Sequence, residues 1–141
     1  MNVLVDTSAW SLALRRRPHE LNDLEQRFRR EVEELVAEGR AQIIGLVRQE
    51  VLSGIAEAAF FDRLRRILRN FDDASIDSNV HERAAELWNH CRAKGVQGSH
   101  TDFLICAVAE RQDLAILSTD PDFERYALHI PIRLHIPREA F

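Results

Sequence analysis

Glycine is scarce in this chain, five in 141 residues. None falls in a GxGxxG or GxxxxGK[ST] pattern, so neither a Rossmann-type nor a P-loop nucleotide site is indicated. The two cysteines, Cys91 and Cys106, lack CxxC spacing and fall inside helical apolar patterns. That usage reads as buried free thiols in a reducing compartment. The six histidines, at 19, 81, 90, 100, 129 and 135, form no HxxxH pair and no Cys/His cluster, which argues against zinc. Without a GxSxG elbow, a Ser-His-Asp triad is not indicated either. No apolar run approaches the length of a membrane span. The first residues carry no basic region and their apolar stretch stops at Asp6, so we expect no signal peptide and a cytoplasmic protein. Lysine is almost missing: Lys94 is alone, leaving 18 of the 19 cationic residues as arginine. The net charge of −4 argues against holding nucleic acid by bulk positive charge.

What is present is an ordinary globular composition, 45% hydrophobic and 30% charged. The length suits one domain over residues 1–141, large enough to bury a core. Short apolar runs predict strands at 2–5, 41–44, 74–76, 114–117 and 132–135. Helical patterns lie between them, at 8–14, 20–38 and 47–69, the last broken near Gly54. A further helix spans 79–94, with Val80, Ala84, Leu87, Trp88 and Cys91 on one face. Residues 101–111 are apolar nearly all round, the mark of a helix buried in the core. This alternation implies an α/β fold, a mainly parallel sheet covered by helices on both faces.

In such sheets ligands bind outside the carboxyl ends of the strands. Asp6, in "VLVDTSAW", and Asp120, in "LAILSTDPDF", each lie just past a strand end and therefore share a rim. In "LVRQEVLSG", Glu50 sits beside the Val47, Val51, Gly54 stripe, which turns a costly carboxylate toward the apolar side. Asp102 opens the most hydrophobic helix of the chain. Each has an architectural explanation: Asp6 and Asp120 as helix caps, Asp102 as a charge favoured by the helix dipole, Glu50 paired with Arg48. Four carboxylates gathered in one small fold nevertheless need a common counter-charge. Hard oxygen donors select Mg²⁺ or Mn²⁺. His100 beside Asp102 is the histidine nearest this proposed site.

The segments "VLVDTSAW", "RQEVLSG" and "HTDFLICAVAERQDLAILSTDPDF", in this order and over this length, resemble the PIN-domain family, and among its short members the VapC toxins of toxin–antitoxin pairs. The resemblance implies a three-layer α/β/α sandwich with a five-stranded, mainly parallel sheet. It also implies a Mg²⁺- or Mn²⁺-dependent endoribonuclease, usually a homodimer, inhibited by a cognate antitoxin that inserts a segment into the site. The family's acidic positions map onto Asp6, Glu50, Asp102 and Asp120, with Asp122 as a further ligand; whether Asp120 or Asp122 is nearer the metal stays open. In the chemistry expected, Asp6, Asp102, Asp120 and Asp122 hold the ion while Glu50 orients or deprotonates the attacking water. Thr7, Ser8 and Thr119 are placed to fix ligand geometry or touch substrate, and Arg15, Arg16, Arg17 and Arg48 to attract RNA.

Two other classes compete. A phosphotransfer domain also places aspartates at strand ends, but the acid needed two residues after a HAD nucleophile is Ser8 here, and the only lysine is at a helix end. A non-catalytic scaffold that binds RNA or protein would have no need of four acids. The segment 10–14 and the arginine-rich helices between 20 and 69 are candidates for dimer or antitoxin contacts.

Overall fold

The computed structural model describes residues 1–139. Its sheet has four parallel strands in the order β2-β1-β3-β4, with β1 at Val3–Val5, β2 at Ala41–Gln42, β3 at Ala115–Leu117 and β4 at Arg133–Leu134. The central pair is wholly buried, and its register sets Val5 beside Leu117.

Seven α-helices connect these strands: α1 (Thr7–Leu14), α2 (Asp23–Ala37), α3 (Gly45–Leu52), α4 (Ala58–Leu68), α5 (Ser78–Ala93), α6 (His100–Gln112) and α7 (Asp122–Ala127). The β1-to-β2 and β2-to-β3 connections step in opposite directions along the sheet. Right-handed crossovers therefore put α1 and α2 on one face and α5 and α6 on the other, giving the three-layer α/β/α sandwich. Helix α6 is the core element: residues 103 to 109 are all buried, as its uniform apolarity requires. Cys91 and Cys106 are buried free thiols, and burial raises the pKa of both.

Local chemistry sets where the helices begin. The expected helix at 20–38 starts later, because Asn22 and Glu25 form a reciprocal capping box and a 3-10 turn at Pro18–Glu20 precedes it. Gly54, at φ +83°, separates α3 from α4 in a left-handed conformation that favours glycine. Asp77 caps α5 by accepting from Val80 N at 3.1 Å, and Ser99 caps α6 by accepting from Asp102 N at 3.0 Å.

One expected strand is not a strand. The segment 74–76 joins the sheet only through a parallel bridge between Ile43 and Asp73, with Ala74 N donating to Ile43 O at 2.9 Å. The sheet thus has four strands where five were expected. The physical reason lies in its neighbour: α3 starts at Gly45, so β2 offers no extended backbone beyond Ile44 for a longer ladder.

Candidate active site

Parallel pairing of β1 with β3 delivers the first residues past each strand to one place. Asp6 N donates to Leu117 O at 2.9 Å, which continues the ladder by one residue and sets Asp6 next to Ser118. Asp6 stands at the N-cap position of α1 but makes no side-chain capping bond. Its Oδ2 instead accepts from Ser118 Oγ at 2.7 Å and from Ser8 Oγ at 3.0 Å, while only 8% of the residue remains exposed. Capping therefore does not explain this aspartate. Ser118 Oγ also accepts from Asp120 N at 3.0 Å, and Ser8 Oγ from Thr119 N at 3.0 Å, so the two hydroxyls tie both strand ends to one carboxylate.

Asp120 Oδ1 accepts from Asp122 N at 2.9 Å, a turn that opens α7. The N-cap of α7 is Pro121, one residue past the expected Asp120, and among the described residues the turn leaves the second oxygen of Asp120 free for the rim. Asp102, in the first turn of α6, completes the group: Asp102, Asp120 and Asp122 each offer an oxygen within 4.8 Å of the others. Tyr126 Oη donates to Asp102 Oδ2 at 2.6 Å, and its ring packs on Phe103 and Phe123 at centroid distances of 4.8 and 5.3 Å. Burial raises the pKa of Asp102, the Tyr126 bond opposes this, and the charges of Asp6 and Asp120 raise it further. Burial and the Asp102 carboxylate push the Tyr126 phenol upward too, so it remains a donor.

Among the described residues, Asp6, Asp102 and Asp120 have no arginine or lysine within ion-pairing distance. Asp122 pairs with Arg125. The donor set is thus all carboxylate and mutually repulsive, with Arg125 on Asp122 its one protein counter-charge among the described residues. It fits a hard divalent ion and fits no softer metal.

Glu50 is placed differently from expectation. It is exposed rather than turned to the apolar side, and Thr7 Oγ1 donates to its Oε1 at 3.1 Å. On a helix, position 50 lies about 60° off the Val47–Val51 line, far enough to clear the core at the exposed end of α3. It reaches the acids through Thr7, the neighbour of Asp6, and lies outside the three-aspartate group. Arg48 is not at the site. It donates to Asp73 Oδ1, Leu68 O and Phe71 O at 2.9, 2.8 and 2.6 Å, bracing the end of α4 against the edge of the sheet. Arg15 and Arg16 lie past the far end of α1, where Arg16 faces Glu25 at 3.8 Å. Thr119 is exposed on the rim, and His100 stacks on Trp88 at 6.0 Å.

Ser118, Ser99 and Tyr126 escaped the reading of the sequence. Ser118 was legible in principle, since it follows β3 as Asp6 follows β1. Tyr126 stands four residues after Asp122, on the same face of α7, a spacing too common to single it out.

Residues 3–128 match the PIN domain family. This chain belongs to the PIN-domain family. The match spans every acid named above, from Asp6 to Asp122. Solved structures of similar fold include FitAcB from Neisseria gonorrhoeae, at 19% identity and TM-score 0.73 over 96% of this chain and 97% of that one. A second is VapBC2 from Rickettsia felis, bound to a DNA fragment from its promoter: 17% identity, TM-score 0.70, 96% and 98% covered. A third is a toxin–antitoxin complex from Klebsiella pneumoniae, at 21% identity and TM-score 0.67 over 99% and 100%. At these identities the likeness is one of fold. No curated protein sequence matches the chain.

Proposed function

We propose that this PIN domain is a divalent-metal-dependent endoribonuclease, the toxin of a toxin–antitoxin pair, active in the cytoplasm as a homodimer. The observation that carries the reading is the three-aspartate group, with Asp6 held beside it by two serines and, among the described residues, no protein cation paired with Asp6, Asp102 or Asp120. The chemistry such a site would supply with Mg²⁺ or Mn²⁺ bound is Lewis-acid activation of the phosphodiester and of a water. Asp102, Asp120 and Asp122 would hold the ion, and Asp6 would add charge beside them. Tyr126 fixes the Asp102 carboxylate in one orientation, and the Ser8–Ser118 pair does the same for Asp6. Exposed on the rim and steadied by Thr7, Glu50 accepts the proton of the attacking water. The antitoxin partner is inferred from the toxin–antitoxin complex among the fold neighbours.

Cleavage of a labelled RNA tests this. Activity is expected with Mn²⁺ or Mg²⁺, none in EDTA, and a drop of roughly 100-fold or more in Asp102→Asn. Cleavage that persists in EDTA, or survives Asp6→Asn, removes the reading.

A further inference from the structure

A groove of about 820 Å³ lies between the C-terminal end of α1, the turn after it and α4. Five guanidinium groups line it, those of Arg15, Arg16, Arg17, Arg63 and Arg66, against one carboxylate, Glu57. All five arginines are exposed. Among the described residues, Arg16 has only the distant Glu25, 3.8 Å away, and Arg15 only the carbonyl of Ser53, 3.4 Å away. Arg17, Arg63 and Arg66 have no carboxylate partner among the described residues. Arg65, on the next face of α4, behaves differently: it is paired with Asp62 at 2.6 Å.

So an acidic protein of net charge −4 gathers five barely compensated positive charges in one groove. Their mutual repulsion opposes folding and is relieved by a polyanion. Arg63 lies over the ring of Phe60 at 5.0 Å, which gives the groove a planar, cationic wall suited to an unpaired base. Helix α1 joins this groove to the acids. Asp6 precedes its first turn and Arg15 follows its last, about 14 Å apart along the helix axis.

We propose that this groove holds the backbone of a single-stranded RNA, gripping the substrate a few nucleotides to one side of the phosphate at the acids. The identity of the polyanion rests on the nuclease reading; the site itself is separate from it. Phosphate binding by these arginines supplies affinity, and the aspartates stay free of that task.

Fluorescence anisotropy of a short, labelled single-stranded RNA, in EDTA to prevent cleavage, tests the assignment across a salt titration. Arg63→Glu/Arg66→Glu is expected to bind at least about 10-fold more weakly. Its slope of log K against log salt should fall by about 1.4, or about 0.7 for each phosphate no longer neutralised. Arg63→Lys/Arg66→Lys should keep most of the affinity, and Arg92→Glu/Arg111→Glu, elsewhere on the surface, should keep all of it. Unchanged affinity and slope in the charge-reversed variant overturn the proposal. So does unchanged RNA binding with loss of a protein partner co-expressed from the neighbouring reading frame, which would make the groove a protein site. Titration of Mn²⁺ into the same proteins keeps the two ideas apart. RNA binding lost on charge reversal, in a protein that takes no Mn²⁺, leaves the groove standing and removes the nuclease.

Discussion

Asp102 carries two opposed demands, because burial and its acidic neighbours penalise its charge while Tyr126 stabilises it. Asp102→Asn therefore relieves repulsion in the metal-free protein. Thermal melts in EDTA are expected to show the variant no less stable than the wild type, whereas a carboxylate needed for folding would melt lower when removed. Tyr126→Phe keeps the ring packing and deletes one donor. It should weaken Mn²⁺ binding by about 10-fold, as read by calorimetry, with little change in Tm. A second residue, Glu31, is 1% exposed and held by Arg138 Nε at 2.7 Å and His135 Nε2 at 2.6 Å. Burial raises the pKa of Glu31, but the bonds from Arg138 and His135 outweigh it and leave it below its ordinary 4.5. A lowered carboxyl pKa gives stability that is full above pH 4.5 and is lost as pH falls through the lower value. Melting Glu31→Gln beside the wild type should show a deficit of about 1–3 kcal/mol at neutral pH that shrinks in acid. A deficit that is constant with pH contradicts the ionic account.

At the scale of elements, α6 is the most legible and the most constrained. Its all-round apolarity predicts burial, and its neighbours explain why Gly98 precedes it. A Cβ built on Gly98 would lie 2.6 Å from Tyr126 Cζ and 2.8 Å from Phe103 Cε2, closer than side-chain packing allows. Gly98→Ala is expected to cost about 1–3 kcal/mol in denaturant unfolding and to push Tyr126 off Asp102, weakening Mn²⁺ binding as well. A variant that is destabilised yet binds Mn²⁺ normally would show that the two are uncoupled. The strand-end aspartates were readable because parallel pairing needs only the topology class to bring Asp6 and Asp120 to one rim. Two features were not. Glu50 was misplaced because a side chain about 60° from an apolar stripe can face either way, and only the packing of α3 against α1 decides it. The missing fifth strand was invisible because the length of β2 is set by where α3 begins, and Gly45 carries no strong start signal.

For the molecule as a whole, repulsion among the acids opposes the metal-free fold, and we expect a bound ion to reverse this. Mn²⁺ at about 100 times its dissociation constant adds about 2.7 kcal/mol. For a chain of this size that is a rise of roughly 5–10 °C in Tm. The arginine groove is the counterpart at the other end of α1, where the opposite charge awaits an opposite partner. Both features hold like charges close together, and a ligand of opposite charge is expected to stabilise each. Isothermal titration of Mn²⁺ into the metal-free wild type and into Asp102→Asn tests the central claim most directly. We expect saturable binding in the wild type and its loss in the variant; a wild type that takes up no Mn²⁺, or a variant that binds it equally well, contradicts the account.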